Sequence, residues 1–363
     1  MKAAVLTGKN EKWTKVTDIP TPLISNDQLL VKTVAFAANP TDWKRNFPVN
    51  AGNVSGADAS GTVVEIGSNV TGFEVGDVVS ILVHAGINKV NGGFADYVAT
   101  VPGFAIKHDK NAVKDTPLSV GNHGSGPIST FEQAAAVTLG LATIVYSFVA
   151  ELGISQNTLD NKDKAILIWG GSTASGVIAI QLAKLSFGLK VFTTSSKRNH
   201  AYLKQLGADA VFDYSDADVV NLIKKEAGDS IAYALDTVGT ESTTQHVYDS
   251  TANSKHVEID GLLLKGKDSI TLDPSRLVNY HTTVVYRATG AEVTIAGKTF
   301  EANEDAAKKY LEYWTNELPK VLPHLRAHNL QVLEPGLESV NEALLMLHDG
   351  KVSAQKIVFR NTN

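Results

Sequence analysis

A turn of the kind that holds a diphosphate lies mid-chain, at Gly170-Gly171-Ser172-Thr173-Ala174-Ser175-Gly176. Residues 166–169 before it are apolar, two of them β-branched, and a helix-patterned segment starts near Thr173. A strand that turns tightly into a helix aims the unsatisfied N–H groups of the first helical turn at one point, where a phosphate is stabilised. Gly170 and Gly171 let the backbone approach the ligand, and Gly176 lets helix and strand lie close together. Thr173 stands where the strict G-x-G-x-x-G pattern has its middle glycine, so these residues would also serve as a plain turn. The surrounding elements must decide.

About 20 residues past such a turn, a dinucleotide-binding unit usually carries an acid for the ribose hydroxyls. Here the position reads Ser195-Ser196-Lys197-Arg198, without a carboxylate. An acid there would repel a 2′-phosphate, whereas hydroxyls and cations bind it through charge-assisted hydrogen bonds. The sequence therefore favours NADP(H) over NAD(H), although Lys197 and Arg198 also suit the solvated start of a helix. Strands are expected at 189–194, 210–214, 230–238 and 255–264, the last running into a turn at Gly266, with a helix over 199–206. Such alternation predicts an α/β, doubly wound parallel sheet. Val238, Asp260 and Gly261 fall at the carboxyl ends of its later strands, where these sheets bind ligands.

The elements that must position these residues need more than one core. A chain of 363 residues exceeds what a single core usually serves, so two domains are expected. The first hundred residues are β-rich, with strands at 29–35, 59–66 and 78–83, and 102–130 reads as a long connection. Helices are expected at 303–318 and 337–347, and a closing strand at 355–359. A net charge of −5 with no basic block argues against nucleic acid as a partner. The absence of cysteine removes disulfides and thiolate metal sites. Residues 133–150 carry no charge but include Thr138, Gly140, Thr143 and Ser147, so a buried helix is expected rather than a membrane span. With no targeting signal to read, cytoplasm is the default location.

Several separated segments carry a family likeness. Asn39-Pro40-Thr41-Asp42-Trp43-Lys44, then residues 56–67 (GADASGTVVEIG), 73–79 (FEVGDVV) and 92–97 (GGFADY), and finally 350–356 (GKVSAQK), occur in the order found in the medium-chain dehydrogenase/reductases. The chain resembles that superfamily over nearly its whole length. The resemblance implies a GroES-like β-rich catalytic domain, residues 1–142 and 290–363, into which a Rossmann NADP(H)-binding domain, residues 143–289, is inserted. Zinc-dependent members carry Cys-His where this chain has Asn39-Pro40, Gly-His-Glu where it has Gly56-Ala57-Asp58, and a third cysteine near Leu139. Nothing at these positions makes a His₂Cys or His₃ site, so no metal is expected. The nearest likeness is to fungal trans-acting enoyl reductases and to quinone oxidoreductase-like members. By that likeness Ser172, Thr173, Ala174 and Ser175 would hold the pyrophosphate, and Ser196, Lys197 and Tyr214 would surround the 2′-phosphate. Pro40, Thr41, Asp42, Lys44, Val352 and Ser353 would approach the nicotinamide. Such relatives are monomers or homodimers.

Hydride transfer to a simple aldehyde or ketone needs its oxygen polarised, a task that zinc performs as a Lewis acid. Without metal the task falls to hydrogen-bond donors, for which Lys44 and Thr143 are the candidates. Conjugated acceptors, namely enones, enoyl thioesters and quinones, are already electrophilic and need less help. The expected activity is zinc-independent, NADPH-dependent reduction of such a small-molecule acceptor. An NADPH-dependent aldehyde reductase and a cofactor-binding protein without turnover are the alternatives.

Overall fold

The computed structural model describes residues 1–9, 12–263, 270–295 and 297–362. The chain forms two compact units, Met1–Ala142 with Arg326–Asn363, and Thr143–Leu325.

The first unit begins with strands β1 (Lys2–Leu6), β2 (Thr14–Asp18) and β3 (Leu29–Ala37), followed by the short helix α1 (Pro40–Lys44). Strands β4 (Asp58–Ile66), β5 (Val78–Leu82), β6 (Tyr97–Thr100), β7 (Ala105–Lys107) and β8 (Gly121–His123) come next, then helices α2 (Phe131–Ala135) and α3 (Thr138–Tyr146), the latter running across the division at Ala142/Thr143. In the second unit β9 (Ala165–Trp169), α4 (Ala174–Leu185), β10 (Lys190–Ser195), α5 (His200–Gln205), β11 (Ala210–Asp213) and α6 (Val219–Ala227) alternate. The alternation continues through β12 (Ile231–Asp236), α7 (Glu241–Ser250), β13 (His256–Gly261) and β14 (Leu277–Thr282). A hairpin of β15 (Val293–Ile295) and β16 (Lys298–Phe300) precedes helices α8 (Glu304–Asn316) and α9 (Leu318–Val321). Back in the first unit, β17 (Asn329–Val332), α10 (Val340–His348) and β18 (Gln355–Arg360) close the chain's regular structure.

The second unit's sheet runs β11-β10-β9-β12-β13-β14, every described pair parallel. In order of appearance this is 3-2-1-4-5-6, the doubly wound dinucleotide-binding order, with its switch point between β9 and β12. Central strand β9, AILIW, is buried along its whole length, as a strand covered by helices on both faces must be. Helix α6 shows the complementary pattern: Val219, Ile223 and Ala227 recur every four residues and are buried, against Val247, Ile231 and neighbours. The first unit has an antiparallel-rich sheet, β7-β5-β4-β3-β18-β17-β8, with β6 paired to β3. Its core gathers Phe36, Phe94 and Phe359, whose rings lie 5.4 to 5.8 Å apart.

Four expectations change. The connection 102–130 holds β7 and β8, three-residue strands that exist only through pairing with β5 and β17. The apolar run 133–150 is not one helix: α2 and α3 are separate, and Ser147–Glu151 forms a π-helical turn. Phe131–Glu151 is the one segment among the described residues long and apolar enough to cross a membrane, but 83% of its most apolar window is buried. Residues 290–325, placed by sequence with the first domain, belong to the second unit: α8 packs on the Ser147–Glu151 turn, and Tyr313 stacks on Phe187 at 5.5 Å. The fifth strand stops at Gly261: Leu262 and Leu263 bend away from the expected extension, and Leu264 and the turn at Gly266 lie outside the described residues.

Candidate functional site

The second unit builds its cradle at the switch point. Gly170 has φ +83°, and a Cβ there would come within 2.7 Å of Thr237 Oγ1. Gly176 lies so close to the turn that a Cβ would sit 2.4 Å from Gly170 O. Thr173, the departure from the glycine pattern, has a structural role: its Oγ1 accepts from Gly176 N at 3.0 Å and caps α4. The same hydroxyl donates to Thr237 Oγ1 at 2.9 Å, and Thr237 donates to Trp169 O and Gly170 O, tying the ends of β9 and β12 together. Ser172, Ala174 and Ser175 remain partly exposed beside this helix start, and Gly171 is buried. Val238 N and Gly239 N both donate to Asp236 Oδ1 at 2.9 Å, which shapes the loop after β12.

At the end of β10, Ser195 is buried, while Ser196 is partly exposed and Lys197 and Arg198 are exposed. The neighbouring strand adds an acid that the one-dimensional reading passes over. Asp213 ends β11, 3.9 Å from Lys197 Nζ, and its carboxyl is held below the usual range by Ser215, first through that residue's N–H and then its hydroxyl. Tyr214 follows it, half exposed. Asp260 turns inward. Its Oδ2 accepts from Ser147 Oγ at 2.5 Å and Thr283 Oγ1 at 2.6 Å, and burial pushes its pKa up to about 6. The carboxylate expected on the cofactor side is therefore an internal brace, leaving only backbone at Asp260 and Gly261 for a ligand.

The first unit gathers a second polar cluster, at the start of α1. Asn39 caps the helix: its N–H donates to Asp42 Oδ2 at 2.8 Å. Its Nδ2 donates to Asp58 Oδ2 at 2.9 Å, and Leu139 N donates to Asp58 Oδ1 at 2.7 Å. Lys356, on β18, completes the cluster, its Nζ donating to Asn39 Oδ1 and to Asp58 Oδ2 at 3.2 Å. Asn39, Asp42, Asp58 and Lys356 are all buried. Burial first, then repulsion by Asp58, lifts the pKa of Asp42 to about 7 against the Asn39 N–H, and burial raises that of Asp58 as well. Asp42, expected to touch a cofactor, is thus an interior capping group. Pro40, Lys44 and Ser353 are exposed, and Thr41 and Val352 are partly so. Lys44 lines a cleft of about 1020 Å³ with Trp13, Trp43, Phe47 and His348. Thr143, partly buried, is the first residue of the second unit.

Comparison with known proteins now bears on this arrangement. The model of the alcohol dehydrogenase GroES-like domain matches residues 25–110, and that of the zinc-binding dehydrogenases matches 174–308. An uncharacterized protein of Saccharomyces cerevisiae, YNL134C, is 32% identical over 99% of this chain and 97% of its own length. The chain belongs to the medium-chain dehydrogenase/reductase superfamily. The trans-enoyl reductase fsa3 of a Fusarium species is 30% identical over 93% of this chain and 92% of its own. The quinone oxidoreductase of Coxiella burnetii shares the fold at a TM-score of 0.65, with 24% identity over 99% of each chain.

As a medium-chain dehydrogenase/reductase the protein is an oxidoreductase, and its Rossmann unit binds a nicotinamide cofactor. The zinc named in its second family model finds no matching ligands: Asn39, Ala57 and Leu139 stand at the positions the superfamily gives to them, and both oxygens of Asp58 are engaged. Among the described residues, no group of three His, Cys, Asp or Glu side chains is placed to hold a metal ion. Sequence reading missed Lys356 as a site residue. Its signal was a lone charge opening the apolar run Ile357-Val358-Phe359 of a buried strand.

Proposed function

We propose that this medium-chain dehydrogenase/reductase is a zinc-independent, NADPH-dependent reductase that passes hydride to a conjugated acceptor, an α,β-unsaturated carbonyl or a quinone. The observation that carries this reading is that Asn39, Ala57 and Leu139 stand at the metal-ligand positions, and that Asn39 is already bonded to Asp58 and Lys356. Such a site offers no Lewis acid for an isolated carbonyl, and a conjugated acceptor needs none. Bound NADPH supplies the hydride. Gly170, Gly171, Ser172, Thr173, Ala174, Ser175 and Gly176 hold the diphosphate at the start of α4. Ser196, Lys197, Arg198 and Tyr214 take the 2′-phosphate, with Lys197 also offsetting the charge of Asp213. Trp13 and Trp43, packed edge to face with ring centroids 5.8 Å apart, line the cleft beside Lys44 with aromatic surface that a conjugated group can pack against. Lys44 and Thr143 are the proposed donors to the acceptor oxygen. The relative named as a trans-enoyl reductase supports double-bond reduction.

The test follows NADPH consumption by the chelator-treated protein with an enone, a quinone and a saturated aldehyde in parallel. Turnover of the enone or quinone alone is expected. Preference for the aldehyde would replace this reading with an aldehyde reductase in which Lys44 polarises the carbonyl. NADPH binding without turnover of any of the three would point to a cofactor-binding protein.

A further inference from the structure

We propose that the ammonium of Lys356 is the built-in counter-charge of the first unit's polar cluster, closing that cluster to a metal ion and fixing the start of α1. Three side chains close a ring. Lys356 Nζ donates to Asn39 Oδ1 and Asp58 Oδ2, while Asn39 Nδ2 donates to that same Asp58 oxygen. The ring sets the orientation of the Asn39 amide, oxygen toward the cation and nitrogen toward the anion. Leu139 N holds the other Asp58 oxygen, so neither carboxylate oxygen is left for an incoming metal. A carboxylate as buried as Asp58 needs a counter-charge, and Lys356 is the basic side chain that pairs with it.

The consequence reaches α1 through one residue. Asn39 is both the anchor of Lys356 and the cap whose N–H binds Asp42. A five-residue helix does not stand alone and depends on such tertiary ties. The backbone before Lys356 carries matching evidence of constraint: Ala354 has φ +54°, the one non-glycine residue in the left-handed region among those described. That bend opens β18, whose register with β3, Val358 against Ala37, brings Lys356 beside Asn39. Lys356 is therefore a positioning residue. Its effect on turnover presupposes the metal-free reductase reading above, whereas its hold on α1 does not.

Lys356→Met strands Asp58 as an unpaired buried carboxylate and endangers folding itself, so the decisive variant is the double Lys356→Met/Asp58→Asn, which removes both charges. Hydrogen exchange of the intact protein without acceptor is expected to speed at least tenfold over residues 39–46 in the double variant, with β9 to β13 unchanged. Lys356→Arg should restore most of the protection. Unchanged exchange over 39–46 in the double variant would overturn the positioning role, whatever the enzyme reduces. Titration of the wild-type protein with Co²⁺ should give no tetrahedral d–d absorption; a stoichiometric one would overturn the cation role. If the double variant shows faster exchange and the wild type turns over none of the acceptors, the positioning role stands and the reductase reading falls.

Discussion

In the proposed reading, cofactor choice turns on Lys197 and Arg198. Both are exposed at the end of β10, and a hydrogen bond from a cation to phosphate contributes about 1.5–3 kcal/mol. Losing one such bond costs about 10- to 150-fold, so replacing both by alanine should raise the KM for NADPH by about 100-fold or more and leave that for NADH nearly unchanged. Steady-state kinetics with the two cofactors measures the difference. Equal losses for both would mean that these side chains do not read the 2′-phosphate. At this scale the sequence was uneven as a guide. The turn and helix start at residues 170–176 were legible because turn chemistry is local. Asn39, Asp58 and Lys356 did not, because 298 positions separate Asp58 from its lysine and no local pattern encodes that meeting. Asp213 escaped for a related reason. It reaches Lys197 only because β10 and β11 run parallel in register, Ser195 beside Asp213.

Two elements carry predictions of their own. The start of α4 leans on the turn so closely that Gly176→Ala would drive a methyl group into the Gly170 carbonyl, 2.4 Å away, and backbone cannot yield as a side-chain tip can. Overpacking of this kind costs about 1–3 kcal/mol. The variant should melt earlier and bind NADPH more weakly, as seen by thermal denaturation and fluorescence titration. Edge strand β14 places His281 against Glu151 and Glu258, and these two carboxylates lift its pKa to about 9. A histidine whose pKa rises on folding stabilises fully below its unfolded value near 6.5 and loses that effect as pH passes 9. Melting temperature should fall between about pH 6.5 and 9, and His281→Gln should flatten the fall. An unchanged slope would assign it to other groups. β14 itself was not anticipated, since its residues LVNYHT are at most partly buried and three are polar, whereas β9 was plain from an unbroken apolar run. Long runs declare themselves by period; three-residue strands such as β7 and β8 are created by their partners.

For the molecule as a whole, two units with separate sheets predict ligand effects that are unevenly shared. A ligand that binds only the folded state stabilises by RT ln(1 + [L]/Kd), about 2.7 kcal/mol at a hundredfold excess over Kd. NADPH should therefore raise the melting temperature, and NADH at equal concentration should raise it less. Scanning calorimetry reads both, and an equal shift would argue against the phosphate-selective reading. The division at Ala142/Thr143 and Leu325/Arg326 also sets an order of events during synthesis. All of β9 to β14 leaves the ribosome before β17 and β18, so the nucleotide-binding sheet has its strands while the first sheet still lacks two of its own. Until β18 arrives to pair with β3, Asp58 has no counter-charge and the flank of β3 is open. The nascent first half is then a natural client for chaperones, and its maturation waits on the last strand made.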